Sequence, residues 1–189
     1  INTLHISQDS VFTDVGSGTW IFTEQLLNEG YRVNAVEPNY DMRIKAEEKL
    51  KDNKNFTSVV GCEKDVNLPS SSVEYITVAQ AFHWFNSAAF KKECKRVLKP
   101  NGKVIIVYNF RINDAPCTKV LSTLRHKYNP DFHGFSNGVT DKTFIDFFGG
   151  KCDIFRSDNS LSYDRKAYVN RVLSSSYSLK EDDPRYKEY

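Results

Sequence analysis

The most constraining stretch of the sequence is a short run of β-formers, Val11-Phe12-Thr13-Asp14-Val15, which breaks into Gly16-Ser17-Gly18. It is followed at helical spacing by Ile21, Phe22, Gln25, Leu26 and Leu27. Asn28-Glu29-Gly30 ends that helix, and residues 31–36 read as a second strand closing on Glu37-Pro38-Asn39. Strand, glycine turn, helix and strand in this order predict a βαβ unit, whose strands lie parallel because the helix carries the chain back across the sheet. The turn is also a cradle. Without side chains at positions 16 and 18 a ligand reaches main chain, and the helix that follows offers unpaired N–H groups with a partial positive charge. Glu37 stands nineteen positions after Gly18, where a carboxylate at the end of the neighbouring strand accepts hydrogen bonds from both hydroxyls of a ribose. Turn and acid together point to an adenosine-type ligand.

The alternation continues down the chain. A charged helix is expected over residues 41–51, a strand over 56–60, a turn-rich connection through 69–72, a strand over 73–78 and a helix over 87–98. Lys99-Pro100-Asn101-Gly102 is a turn signal, and Lys103-Val104-Ile105-Ile106-Val107-Tyr108 is so rich in β-formers that it reads as a central strand covered on both faces. Beyond Asn109, helices are expected over 117–128, 141–148 and 165–174, with an outer strand at Cys152-Asp153-Ile154-Phe155. The fold class is α/β: a doubly wound, mostly parallel sheet with helices on both faces.

Composition narrows the function. Lys and Arg number 26 against 24 Asp and Glu, a net charge of +2 spread along the chain, which offers no basic stripe for phosphates and argues against a nucleic-acid partner. No apolar run approaches the roughly 18 residues of a membrane span, and the N-terminus lacks a signal peptide's pattern, so no membrane partner and a cytoplasmic location are expected. Cys62, Cys94, Cys117 and Cys152 are far apart with no Cys-x-x-Cys, which indicates neither a metal site nor a disulfide framework. The chain starts at Ile1 and stops in a charged stretch, so both ends read as trimmed.

A dinucleotide is the first rival for the cradle, but its fingerprint wants a third glycine three residues after the second, and Ile21 stands there. Asp14, two residues before Gly16, suits instead a cationic amino group, directly or through water. A ribose together with an ammonium group suggests S-adenosylmethionine. At this point the sequence resembles a known family. Asp14-Val-Gly16-Ser17-Gly18-Thr, Val36-Glu37-Pro38-Asn39 with Met42, Val78-Ala-Gln80-Ala-Phe82-His83-Trp84-Phe85 and Arg96-Val-Leu98-Lys-Pro100-Asn-Gly102 follow in the order of the motifs of class I S-adenosylmethionine-dependent methyltransferases. The resemblance is strongest to the bacterial small-molecule type related to the trans-aconitate enzymes.

The resemblance implies a Rossmann-like fold with seven strands, the last antiparallel, and a single methyltransferase domain over 1–189. Its cofactor-binding core would be 11–109, and 110–189 the variable acceptor side and outer sheet. It implies that Gly16, Ser17 and Gly18 line the methionine moiety, that Asp14 orients its amino group, and that Glu37 grips the ribose. Pro38 would border the adenosine, Cys62 and Glu63 flank the adenine, and Gln80 close over the methionine portion. One departure stands out. The family carries Gly-x-Gly-x-Gly, and this chain has Trp20 at the third position; the indole either lies in the helix–sheet seam or fills the pocket, and the second case would leave an inactive binding module. A nicotinamide-dependent oxidoreductase is the other alternative.

Methyl transfer is a displacement at a carbon already activated by the sulfonium charge, so a protein needs chiefly to align the nucleophile, exclude water and, for weak acids, remove a proton. His83 is the catalytic candidate, because it follows the fourth strand at the carboxyl edge, where ligands bind in open α/β sheets, and its imidazole titrates near neutrality. The expected reaction is methylation of a small molecule at oxygen.

Overall fold

The computed structural model describes residues 6–175 and 177–189. Its first compact unit runs up to Tyr108 and its second from Asn109 to Tyr189. In the first, β1 (Val11–Val15), β2 (Arg32–Val36), β3 (Phe56–Val59), β4 (Val73–Ala79) and β5 (Leu98–Val107) form one sheet in the order β3-β2-β1-β4-β5. Every pair is parallel, and the interleaved helices are α1 (Ile21–Asn28), α2 (Tyr40–Leu50) and α3 (Ser87–Val97). The doubly wound α/β expectation is met. The order reverses at β1, where β2 lies on one side and β4 on the other, so a crevice opens at the carboxyl ends of these strands.

Period and burial agree locally. On β1, Phe12 through Val15 are all buried, as a strand covered on both faces requires. Phe12 stacks on Tyr75 with ring centroids 5.0 Å apart and meets Tyr31 at 4.8 Å. Leu26 and Leu27 of α1 close over it together with Val33 and Leu50. Each such side chain contributes about 2 kcal/mol through burial. The caps follow from sequence as well: Asn39 accepts from the Met42 N–H at 3.0 Å to start α2, and Asn86 from the Ala89 N–H at 3.1 Å to start α3.

Several expectations are corrected. The run 103–108 is not a central strand: β5 is the edge of the five-stranded sheet, and Val104 to Val107 are only half-buried. An uninterrupted β-forming run records β propensity but not the number of neighbours. The turn expected at 99–102 lies inside β5 as an irregularity, since Val73 pairs with Leu98 but Tyr75 pairs with Lys103. Cys152-Asp153-Ile154-Phe155 forms no strand: this stretch has no ladder partner, and Phe155 is exposed. The sheet therefore has five strands among the described residues, against the seven implied by the resemblance.

The second unit contains α4 (Pro116–Tyr128), α5 (Asp141–Phe147) and α6 (Arg165–Leu173). Helix α4 buries Thr118, Leu121, Arg125 and Tyr128 on one face. Phe132 is packed between the rings of His126, Phe135 and Tyr177. The Arg125 guanidinium is buried with Nη2 donating to the Val172 carbonyl at 2.8 Å, and burial holds its pKa below the ordinary value.

Trp20 resolves one question left open by the sequence. It is the N-cap of α1, with φ 75° and ψ 2°, in the left-handed region that favours glycine. Its indole packs against the cluster of Phe12, Leu26, Leu27, Tyr31, Val33 and Leu50, which is the helix–sheet seam. The backbone therefore retains the shape a glycine would take, and ring burial offsets a strain of about 1 to 3 kcal/mol. We expect Trp20→Gly to be more stable than Trp20→Ala by about 1 kcal/mol, because both lose the ring but only glycine tolerates the dihedral. Denaturant unfolding of the two variants tests this; alanine matching or exceeding glycine would mean the turn does not impose the dihedral.

Candidate functional site

All five strands being parallel, their carboxyl ends share one rim, and the residues singled out by sequence fall on it. The turn after β1 places Gly16 at φ 70° and Gly18 at φ 57°. The Gly16 and Ser17 N–H groups donate to the Val36 carbonyl at 2.9 and 3.2 Å, fastening the turn to the end of β2. A Cβ on Gly16 would sit 2.8 Å from the Ala81 Cβ and 3.3 Å from the Phe85 ring, so this glycine admits the segment after β4. Nothing lies within 4 Å of a Cβ built on Gly18, so its side is open.

Glu37 ends β2 and is buried. Its Oε2 accepts the Gly18 N–H at 2.9 Å and its Oε1 accepts the Asn39 N–H at 2.8 Å. The acid and the glycine turn, nineteen residues apart, are thus in direct contact. Pro38 is exposed beside them. Gly61 brings the chain after β3 against the end of β2, for a Cβ there would meet Val36 Cγ1 at 2.9 Å. Cys62 and Asp65 then exchange main-chain hydrogen bonds of 2.9 and 3.2 Å, and Glu63 accepts from the Asn86 N–H at 3.3 Å, linking the loops after β3 and β4. Among the described residues Cys62 and Glu63 make no hydrogen bond with Glu37 or the glycine turn. They share its rim only.

Asp14 lies under the turn rather than on its surface. Its carboxylate is buried, with Oδ2 accepting from Thr23 of α1 at 2.8 Å and Oδ1 from Thr77 of β4 at 3.0 Å. Burial raises its pKa from 3.8 to about 6, against the lowering effect of the two hydroxyls, and the nearby Glu37 charge adds to the rise. This placement gives Asp14 a scaffold role in holding β1, β4 and α1 together. Sequence analysis missed its partners; the signal available was Thr77, a polar residue flanked by Ile76 and Val78 in β4.

After β4, Gln80 is exposed with φ 57°, a left-handed non-glycine residue at the carboxyl edge. Its N–H donates to the Val107 carbonyl at 3.0 Å. A single 3₁₀ turn, Phe82–Trp84, follows. Phe82 is core, Phe85 packs beside Phe90 with centroids 5.0 Å apart, and Trp84 is 65% exposed. His83 is half-buried, and burial holds its imidazole below the ordinary pKa, favouring the neutral ring at physiological pH. Its partner is Tyr108, which sequence analysis did not single out. No group of His, Cys, Asp and Glu among the described residues is arranged to hold a metal ion, and no described helix is long and apolar enough to cross a membrane.

With this geometry in hand, comparison with known proteins is informative. Residues 13–106 match the family described as Methyltransferase domain. An uncharacterized methyltransferase-like protein of Schizosaccharomyces pombe is 30% identical over 131 residues, 69% of this chain and 50% of the relative. An uncharacterized methyltransferase of Mycobacterium tuberculosis is 34% identical over 98 residues, 52% of this chain and 39% of the relative. The chain spans about half the length of the first of these relatives, or less. Among solved structures, one described as a candidate S-adenosyl-L-methionine-dependent methyltransferase of Methanococcus maripaludis superposes with TM-score 0.59 at 21% identity, covering 78% of this chain and 68% of that one. This likeness supports the fold.

The Asp14 environment yields a pH test. The folded protein holds this proton more tightly than the unfolded chain, so ionising Asp14 costs stability as pH rises from 3.8 to about 6, and the full cost stands above that window. The shift corresponds to on the order of 3 kcal/mol. Asp14→Asn, which keeps hydrogen-bonding capacity toward Thr23 and Thr77, should gain stability relative to the parent as pH rises through this window and hold its gain above it. Denaturant midpoints measured across the range test this; a difference independent of pH would show that Asp14 ionises normally.

Proposed function

This chain belongs to the class I S-adenosylmethionine-dependent methyltransferases, and we propose that it transfers the methyl group of that cofactor to an oxygen of a small-molecule acceptor. The observation that carries this reading is the contact between the Glu37 carboxylate and the Gly18 N–H at 2.9 Å, which sets the ribose-binding acid against the open main chain of the turn.

The residues fit the cofactor. Each Glu37 oxygen accepts one main-chain N–H, and a carboxylate has about four lone-pair positions, so capacity remains for a ribose diol. The open side of Gly18 is space that a ligand can enter and a Cβ would narrow. Trp20 packs into the seam, which removes the sequence-based reason to treat the site as plugged. In this reading Gly16, Ser17 and Gly18 form the floor beside the methionine portion, with Asp14 fixing their position from below. Pro38 borders the adenosine, Cys62 and Glu63 flank the base, and Gln80 covers the methionine portion from the β4 side. When bound, the cofactor supplies a sulfonium-activated methyl carbon. The chain's own contribution is to hold the nucleoside, exclude water and align the acceptor, with His83 as the side chain that meets it.

Support for a small molecule rather than a nucleic acid is the near-balanced charge, +2 over 189 residues. A cytoplasmic setting accords with four free thiols, Cys62, Cys94, Cys117 and Cys152.

Calorimetry with S-adenosylhomocysteine tests the cofactor site directly. The parent chain should bind it. Glu37→Gln should bind at least tenfold more weakly, since a charge-assisted hydrogen bond to a buried carboxylate contributes about 1.5 to 3 kcal/mol. Gly18→Ala should lose affinity while costing only about 1 kcal/mol of stability for its positive φ. No binding by the parent, or equal binding by Glu37→Gln, would overturn the reading.

A further inference from the structure

We propose that the second unit holds a binding site for a small organic carboxylate, in a cavity along α4 beside Arg125 and Arg111, two guanidinium groups that no described acid pairs. The inference goes beyond methyl transfer and does not depend on it.

Arg125 lies on the face of α4 that also buries Thr118, Leu121 and Tyr128, and only 1% of it is exposed. A guanidinium keeps its charge even there, and its N–H groups need acceptors. One acceptor is present, the Val172 carbonyl, which takes Nη2 at 2.8 Å. Among the described residues four buried side-chain polar atoms have no hydrogen-bond partner, and three of them are Arg125 Nε, Arg125 Nη1 and Tyr177 Oη. The Tyr189 ring, 5.7 Å from the guanidinium carbon, offers a π face where an acid would ordinarily stand. Besides the phenols of Tyr189 and Tyr177, the side chain whose charge acts on Arg125 is Arg111, a second cation. Arg111 is half-buried and itself makes no ion pair with a described residue. A charge taken out of water without a counter-charge is among the costliest arrangements a protein keeps. The unanswered donors therefore mark a place to which a counter-charge is brought.

Room for it lies along the same helix. Thr118, Ser122 and His126 follow one another at four-residue spacing on α4 and, with Asn113, Lys119 and Phe135, line a cavity of about 560 Å³, within the roughly 300 to 1,000 Å³ of small-molecule sites. Ser122 precedes Arg125 by three residues and Thr118 precedes it by seven, so the lining row of α4 adjoins the row that carries the buried charge. Phe135 links the cavity to the second cation, because the Arg111 guanidinium lies 4.9 Å over its ring.

The chemistry of the wall selects the ligand. It offers hydroxyls, an amide, an imidazole and an ammonium group, with no Asp or Glu among the described lining residues. Asp114 meets Lys119 at 3.2 Å, but its side chain is 95% exposed, and water screens such a pair too well for it to neutralise the wall. Hydroxyl and ammonium donors beside two uncompensated guanidinium charges favour an anion, and a carboxylate matches such donors with two acceptor oxygens. The Phe135 ring supplies an apolar wall for the organic body that carries it.

Nitrogen-15 NMR titration with benzoate and with benzamide, its uncharged counterpart, tests the site without requiring turnover. Benzoate should shift the Ser122, His126 and Gly134 amide signals saturably and bind about tenfold more tightly than benzamide. Arg125→Met, which removes the charge and keeps a long side chain, should bring the two affinities within about threefold while the spectrum keeps the dispersion of a folded chain. Ser122→Phe, which fills the cavity and leaves both arginines in place, should abolish both titrations; if Arg125→Met does not fold, this variant and the parent's preference for benzoate decide. No binding by the parent, equal binding of benzoate and benzamide, or a benzoate preference that survives either substitution would overturn the proposal. Inorganic phosphate shifting the same signals where benzoate does not would overturn the assignment to a carboxylate.

Discussion

The site depends first on a carboxylate buried beneath the glycine turn. Asp14 sits at the end of the first strand, sealed from solvent and held by one hydroxyl from α1 and one from β4. Taking a charge out of water is costly unless hydrogen bonds compensate, so the three elements that converge on Asp14 have little freedom to move apart. The glycine turn begins two residues later, and its geometry is inherited from that junction. Glu37, on the neighbouring strand, is the contrasting case. Its two oxygens take main-chain N–H groups at the rim, and their remaining lone pairs suit it to binding. Two acids close enough for the charge of one to raise the pKa of the other thus have different duties, set by what surrounds each.

Much of this was legible in the sequence because its signals are local. Helical spacing and the strand–turn–helix alternation placed the α/β elements within a few residues, and the interval from Gly18 to Glu37 marked an acid that the structure brings against the turn. The illegible parts depend on who neighbours whom. The run 103–108 consists of strong β-formers whether it is central or peripheral, and only pairing revealed an edge. Ile154 and Phe155 suggested a strand, but β propensity means little without a partner to complete the ladder. Gly16 looked like a ligand-facing glycine, yet its missing Cβ also makes room for Ala81 and Phe85, more than sixty residues away. Tyr108 escaped notice for the same reason, since nothing in the order of residues announces that the end of one strand meets the turn after another.

Trp20 shows how a departure from a motif can leave the backbone unchanged. A third glycine in such a turn provides freedom for a left-handed residue at the start of the helix, and position 20 retains that dihedral here. Tryptophan occupies it with its ring packed against the apolar cluster of Phe12, Leu26 and Leu27. The price is local strain, and the return is a larger buried surface beneath α1. Reading the substitution from volume alone would have suggested a plugged crevice; the packing of the ring against the core cluster does not.

Strain recurs at the other edge of the same crevice. Gln80, like Trp20, is a non-glycine residue in the left-handed region, here immediately beyond β4. Such conformations persist only where their surroundings over-determine them, and Gln80 is held by its bond to Val107 on one side and by the Ala81-to-Trp84 and Phe82-to-Phe85 turn bonds on the other. Relaxing this residue toward an ordinary β conformation would carry the chain onward in the strand direction, and His83 would no longer return over the end of β5. The two left-handed residues therefore do related work: one starts α1, and the other folds the chain back so that a histidine and a tyrosine meet at the ends of β4 and β5.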